Sequence, residues 1–301
     1  MYIIKLDKLI ELFIDCDDFC KQFDPFLNSK CIDKYPLVSS RRTSPCLLSM
    51  SEMMTIEIFY HLSGFKCFKY YYNRFVLPHL KSYFPNLVSY NRFVELKPRM
   101  FLYLWVFLNA QRSYNKEKSD DKFYMDSKKL TVCHNRRIHQ HKVFKDLATR
   151  GKSSVGWFFG FKLFLVTTAV GQVARCFITP ANVADNSFKT MDKLLAGLRG
   201  TIYGDKGFIS SKAMTHFLEK GLKIITKIRT NMKNKLISLE DKFYLMKRGV
   251  IESVFDIMSA ICDIDHTRHR SPKNAFVNLF GGIIAYTYLD KLPSIFSKKI
   301  N

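Results

Sequence analysis

The chain has 301 residues, 47% of them hydrophobic and 25% charged, a globular composition that excludes an intrinsically disordered protein. Its 48 Lys+Arg against 26 Asp+Glu give a formal net charge of +22, which repels itself in a compact fold and points to a polyanionic partner, nucleic acid before an anionic membrane surface. The longest apolar run, MFLYLWVFLNA at 100–110, falls well short of the roughly 20 residues that a membrane span needs, so no membrane partner is expected.

The opening stretch MYIIKLDKLIELFID carries Lys5, Asp7, Lys8 and Glu11 among its apolar residues. It reads as an amphipathic helix and not as a signal peptide. The eight cysteines, from Cys16 to Cys262, lack paired zinc-site spacing and read as reduced thiols in a cytosolic protein. Residues 1–115 read as helical throughout. Ser49 and Glu52 form a capping box ahead of MMTIEIFYHL. FKCFKYYYNRFVLPHL alternates basic and aromatic residues until Pro78 ends or kinks it. A further helix runs from about Asn91 towards Ala110, interrupted near Pro98. Short helices with basic and aromatic faces suit a DNA-binding domain, with a helix-turn-helix as one arrangement. They suit an ordinary helical bundle equally.

QRSYNKEKSDD, 111–121, is polar throughout and reads as a linker. Beyond it, KFYMDSKKLTV reads as a strand, and GFKLFLVTT and VARCFITP as a hairpin turning at Gly171. SFKTMDKLLAGL reads as a helix, TIYGD as a strand, SSKAMTHFLEKG as a helix ended by Gly221, and LKIITKI as a strand. Gly249 to Leu289 is mostly helical, with a break at RHRSP. A strand meander followed by strand–helix–strand indicates a mixed α/β sheet.

Three acids share a setting in this second part. Asp126 follows KFYM within a strand, Asp205 ends the strand TIY, and Glu252 lies among Val250, Ile251 and Val254 on a helix. Singly, each is explained as a turn former, a cap or a solvated side chain. Together, on strands about 4.8 Å apart with a crossing helix, they would repel unless a cation joined them. Mg²⁺ takes hard oxygen ligands, and two such ions can clamp both oxygens of an in-line phosphoryl displacement. The eight basic residues from Lys128 to Lys152, set against the single acid Asp146, follow the first of these acids directly and suit phosphate contacts.

The residues that carry a resemblance are YMDSKKLTVCHNRRIHQHKVFKDLATRGKSSVGWFFGFKL, ITPANVAD, YGDKGFIS, IITKIRTNMKN and KRGVIESVFD with ICDIDHTRHRSP. In this order they resemble bacterial insertion-sequence transposases of the DDE type, specifically insertion-sequence family nine-eight-two. The resemblance spans 120–290, with a fainter likeness before it. It implies an RNase H-like catalytic domain over 120–292, preceded by an all-helical, DNA-binding domain over 1–115. It implies Asp126, Asp205 and Glu252 as catalytic metal ligands for two Mg²⁺, with Mn²⁺ as a substitute. It also implies a basic residue four before the Glu, here Arg248, on the same helix face.

Lys128, Lys129, Arg136, Arg137, Lys142, Lys206 and Arg248 are the expected DNA contacts. The partners implied are duplex DNA, as element ends and target, and further copies of this chain in a homodimer or higher multimer. The implied location is the bacterial cytoplasm at the nucleoid. The chain departs from the family at Ser259, where a lysine is usual, at Phe255 and Ile257, where polar residues are usual, and at Phe164, where a histidine is usual. Two rival readings follow: a decaying copy that only binds DNA, and a metal-dependent endonuclease without strand transfer. On the family pattern, a lysine restored at 259 is expected to raise the cleavage rate.

Overall fold

The structure is a computed structural model and describes residues 6–34, 47–117, 121–153, 155–227, 237–266 and 268–296. The chain divides into two compact units. One comprises Met1–Leu108 with Ala260–Ile264 and Ser271–Leu289, the other Asn109–Ser259 with Asp265–Arg270 and Asp290–Asn301.

In the helical unit, α1 (Leu6–Lys34) places Leu9, Leu12, Cys16, Cys20, Phe23 and Leu27 at steps of three or four, and all six are buried. Helix α2 (Met50–Leu62) begins at the expected capping box. The Ser49 hydroxyl accepts the Glu52 N–H at 3.1 Å, and the Glu52 carboxylate accepts the Ser49 N–H at 2.6 Å. Every residue from 53 to 61 is buried, so Glu57 lies wholly inside and needs a cation. Lys97 supplies it, with Nζ 2.8 Å from Oε1 and 4.1 Å from the centre of the Phe68 ring.

The basic and aromatic stretch becomes α3 (Phe68–Tyr71), one π turn (Tyr72–Val76) and α4 (Leu77–His79). Pro78 has no N–H to continue the helix, and α4 ends one residue later. Tyr71 and Tyr72 are core residues whose hydroxyls donate to the carbonyls of Ile56 and Val88. Helix α5 (Tyr90–Leu96), a 3-10 turn at Lys97–Arg99 and α6 (Met100–Glu117) complete the run. Helix α6 continues through 111–117, so most of the expected linker is helical; 118–120 lie outside the described residues.

The second unit is built on one mixed sheet of six strands: β1 (Lys122–Cys133), β2 (Thr149–Ser153), β3 (Gly156–Thr168), β4 (Val173–Pro180), β5 (Gly200–Gly204) and β6 (Leu222–Thr226). The order is β2-β3-β1-β5-β6, and β4 pairs with the remaining length of β3. Pairing among β1 to β4 is antiparallel, whereas β5 lies parallel to β1 and β6 parallel to β5. An antiparallel meander that continues into parallel strands, following a helical N-terminal region in the sequence, is the expected mixed α/β arrangement. The β3–β4 turn uses Gly171 at φ +75, where a side chain is disfavoured. Strand β2 was not anticipated, because TRGKS carries no apolar alternation. It forms by pairing with β3.

Helices α7 (Phe188–Leu195) and α8 (Ser211–Glu219) cover one face of the sheet. Phe123, Met125, Phe164 and Ile202 pack there with Met191, Leu194, Phe208 and Phe217. The sequence beyond β6 is described again from residue 237, so the basic stretch 228–236 lies outside the described residues. Helix α9 (Leu239–Met246) meets the opposite face, with Tyr244 stacked on Tyr203 at 5.4 Å. A 3-10 turn at Lys247–Gly249 joins it to α10 (Val250–Ala260).

The final helix, α11 (Pro272–Thr287), belongs to the helical unit and packs on α2. Gly281 and Gly282 permit the approach. A Cβ at 281 would stand 3.3 Å from His61, and one at 282 only 2.8 Å from Ile264. His61 Nδ1 lies 2.6 Å from the Cys262 carbonyl oxygen beside it. Among the described residues no helix is long and apolar enough to cross a membrane.

Candidate active site

Strand period places Tyr124 and Asp126 on one face of β1, and Phe123 and Met125 on the other. The second pair is in the core under α7 and α8. The first pair faces the other way, and the Tyr124 ring lies 5.8 Å from Tyr203 on β5. The parallel register pairs Tyr124 with Tyr203 and Met125 with Gly204. One step further along each strand come Asp126 and Asp205. The two acids therefore stand side by side above this tyrosine pair, whose rings are tilted by 39°.

Helix α9 anchors this face. The Tyr203 hydroxyl donates to Asp241 at 2.9 Å, and Lys223 pairs with the other Asp241 oxygen at 2.7 Å. Burial opposes the Asp241 charge, but its bonds from Lys223 and Tyr203 outweigh it and hold the carboxyl below its ordinary range. Sequence reasoning missed Asp241. Its only local signal was an acid in the first turn of a short helix, which reads as a cap.

The turn after α9 delivers Arg248, and α10 delivers Glu252 one helical turn later. Arg248 bridges two of the three acids, with Nη1 at 3.3 Å from Asp126 Oδ2 and Nη2 at 3.2 Å from Glu252 Oε1. Asp126 Oδ1 accepts the Ser127 N–H at 2.8 Å. Burial pushes the Asp126 carboxyl up to about 6. The Ser127 N–H and Arg248 oppose this, while Asp205 and Glu252 add to it. The three acids thus share one electrostatic neighbourhood, yet they do not form a closed cage. Among the described residues no group of three His, Cys, Asp or Glu side chains is placed to hold a metal ion. No ion pair to Asp205 is seen among the described residues.

The donor set still fits a hard divalent cation. All three groups offer oxygen only, and the one cation paired with Asp126 and Glu252 among the described residues is the Arg248 guanidinium. Asp126 is mostly buried, whereas the Glu252 side chain is 59% exposed.

The expected DNA contacts divide. Lys128 is turned to the protein, its ammonium 2.6 Å from the Ser259 hydroxyl and 3.2 Å from Asp265. Arg248 is held by the two acids. Lys129, Arg136, Arg137, Lys142 and Lys206 are exposed. The departures divide as well. Ser259 donates to the Phe255 carbonyl and receives Lys128, so it lies beside the acid-bearing face. Phe255 is buried and Ile257 half-buried. Phe164 is buried on the opposite face from the acids, 6.2 Å from the Phe208 ring. The reason is register: Phe164 pairs with Ser127, whose position on β1 is out of phase with Asp126.

A family model described as "Transposase DDE domain" matches residues 116–272. No curated protein matches the chain. Among solved structures, a cryo-EM structure of the piggyBac transposase synaptic complex with hairpin DNA is similar at a TM-score of 0.43 and 11% identity. It covers 84% of this chain and 70% of that one.

Proposed function

The chain belongs to the transposase DDE domain family, and on that premise we propose that it binds the ends of an insertion sequence, cuts DNA strands there and joins them to a target. The observation that carries this reading is the Asp126–Arg248–Glu252 bridge, with Asp205 on the adjacent strand end. Asp126, Asp205 and Glu252 are the residues that would hold Mg²⁺ or Mn²⁺, as two ions. Bound there, the metal supplies Lewis acidity towards a phosphodiester and lowers the pKa of water.

The chain's own groups do the rest. The tyrosine column beneath the acids fixes the height at which Asp126 and Asp205 emerge. The Ser127 N–H and Arg248 oppose the burial that raises Asp126, and Arg248 orients Glu252 along the helix. Water hydrolyses one strand and frees a 3′-hydroxyl; that hydroxyl gives up its proton and attacks a target phosphodiester, forming a new P–O bond as the target's own 3′-oxygen leaves and takes up a proton. No protein nucleophile takes part. Lys129, Arg136, Arg137, Lys142 and Lys206 neutralise backbone phosphates. The N-terminal region over 1–115 serves end binding, and 120–292 serves catalysis. Two ends must be joined, so the working form is a homodimer or a higher multimer.

The test is purified protein with Mg²⁺ and a labelled duplex carrying the element's own ends. Asp126→Asn, Asp205→Asn and Glu252→Gln are each expected to abolish nicking while duplex binding persists. Nicking at the native rate removes that residue from the site. Nicks without joined products favour an endonuclease, and binding without nicks favours a copy that only occupies DNA.

A further inference from the structure

Beyond the acids, at the far end of β1, lies a cavity of about 670 Å³. Val132 and Cys133 lead into it, and the chain from His134 to Val143 wraps around it. Arg268 and His269 close it from a segment more than a hundred residues away. Three cations, Arg137, Lys142 and Arg268, line it with the imidazoles of His134, His141 and His269 and the neutral Gln140, and no lining residue is acidic. Among the described residues neither Arg137, Lys142 nor Arg268 forms an ion pair with a carboxylate. Lys128, Lys162 and Arg248 of the same unit all do.

The wall is ordered. His134 Nδ1 accepts the Arg136 N–H at 3.3 Å, and the His141 ring stacks on buried Phe144 at an interplanar angle of 4°. The His141 Nε2 is shielded from solvent and has no hydrogen-bond partner among the described residues. Three cations gathered around one concavity repel each other until an anion enters.

We propose that this cavity is a binding site for a backbone phosphate of DNA, held by Arg137, Lys142 and Arg268. It rests on the proposed function for the identity of the polyanion. The volume lies within the usual range of ligand sites and admits a phosphodiester with its sugar. Six residues of β1 separate Asp126 from Val132, about 20 Å at about 3.3 Å per residue. The phosphate held here is therefore a different one from any at Asp126. The cavity positions the duplex and reads no bases.

The experiment is anisotropy titration of a labelled duplex of unrelated sequence between 50 and 200 mM salt, with native protein, Arg268→Gln, Lys142→Gln and the double variant. Each single substitution is expected to weaken binding to all duplexes alike and to lower the slope of log K against log salt by about 0.9, the double by about twice that. Thermal melting of each variant confirms folding. Calorimetry with inorganic phosphate is expected to show no binding at millimolar concentration. Unchanged slopes in both folded variants overturn the proposal. So does phosphate binding with an unchanged DNA slope, which would mark a site for a free anion, or weakening confined to one sequence, which would mark a base reader. None of these readouts requires cleavage, so a native protein that binds but never nicks overturns the proposed function and leaves this site standing.

Discussion

Asp126 ionises in the fold only at about 6, against an ordinary 3.8, because burial disfavours its charge and two other carboxylates lie near. Between those values the folded protein binds more protons than the unfolded chain, so stability is full below about pH 4 and falls as pH rises towards 6. At about 1.4 kcal/mol per pH unit of separation, the complete loss is about 3 kcal/mol. Without divalent cation, Asp126→Asn should therefore melt higher than the native protein at pH 7.5 and equal to it near pH 4. A pH series of thermal melts checks this, and added Mg²⁺ should raise the melting temperature of the native protein alone. At Ser259 the structure reverses the expectation drawn from the family pattern. A lysine there would meet the Lys128 ammonium, now 2.6 Å from the serine hydroxyl. Ser259→Lys should lower the melting temperature and bring no gain in single-turnover cleavage; a faster rate with an unchanged melt would contradict this placement of Lys128.

The elements of the helical unit depend on a few polar contacts at their ends and centres. The capping box at Ser49 satisfies two donors at the start of α2, so Ser49→Ala should cost about 1 kcal/mol in urea unfolding. Inside the same helix, the Glu57 carboxylate has no solvent and depends on Lys97. Burial raises the Glu57 pKa, and Lys97 opposes that rise. Lys97→Met leaves a buried charge without its partner and should cost about 3–5 kcal/mol. Adding Glu57→Gln to that variant should recover much of the loss, and urea titrations of the two proteins measure the difference.

For the molecule as a whole, the net charge of +22 sets how it meets a polyanion. Binding to any duplex should weaken steeply with salt, and neutralising the exposed pair Lys129 and Arg136 should lower the salt slope by about 0.9 per residue. Filter binding across a salt series gives that slope. Lys128→Gln should change it little, because that ammonium is engaged by Ser259 and Asp265.

Local pattern alone determined most of the elements. The capping box, the Pro78 stop, the Gly171 turn and the period-two run of β1 are each written within a few residues, because they arise from backbone and neighbour sterics. The pairing of Asp126 with Asp205 was also legible, since two apolar strand runs that are each followed directly by an acid bring those acids level once the runs pair in parallel. Tertiary structure alone decided what lies opposite each side chain. It formed β2 by pairing a polar segment with β3, turned Phe164 away from the acids, and placed Lys128 at Ser259. It also set α11 among the N-terminal helices, through two glycines whose local reading is only a weak helix. Arg248 was legible as a neighbour of Glu252 at i,i+4, but its second bond, to Asp126 on β1, crosses 122 positions in sequence. Contacts at that distance are chosen by burial and charge over the assembled sheet, and no local spacing encodes them.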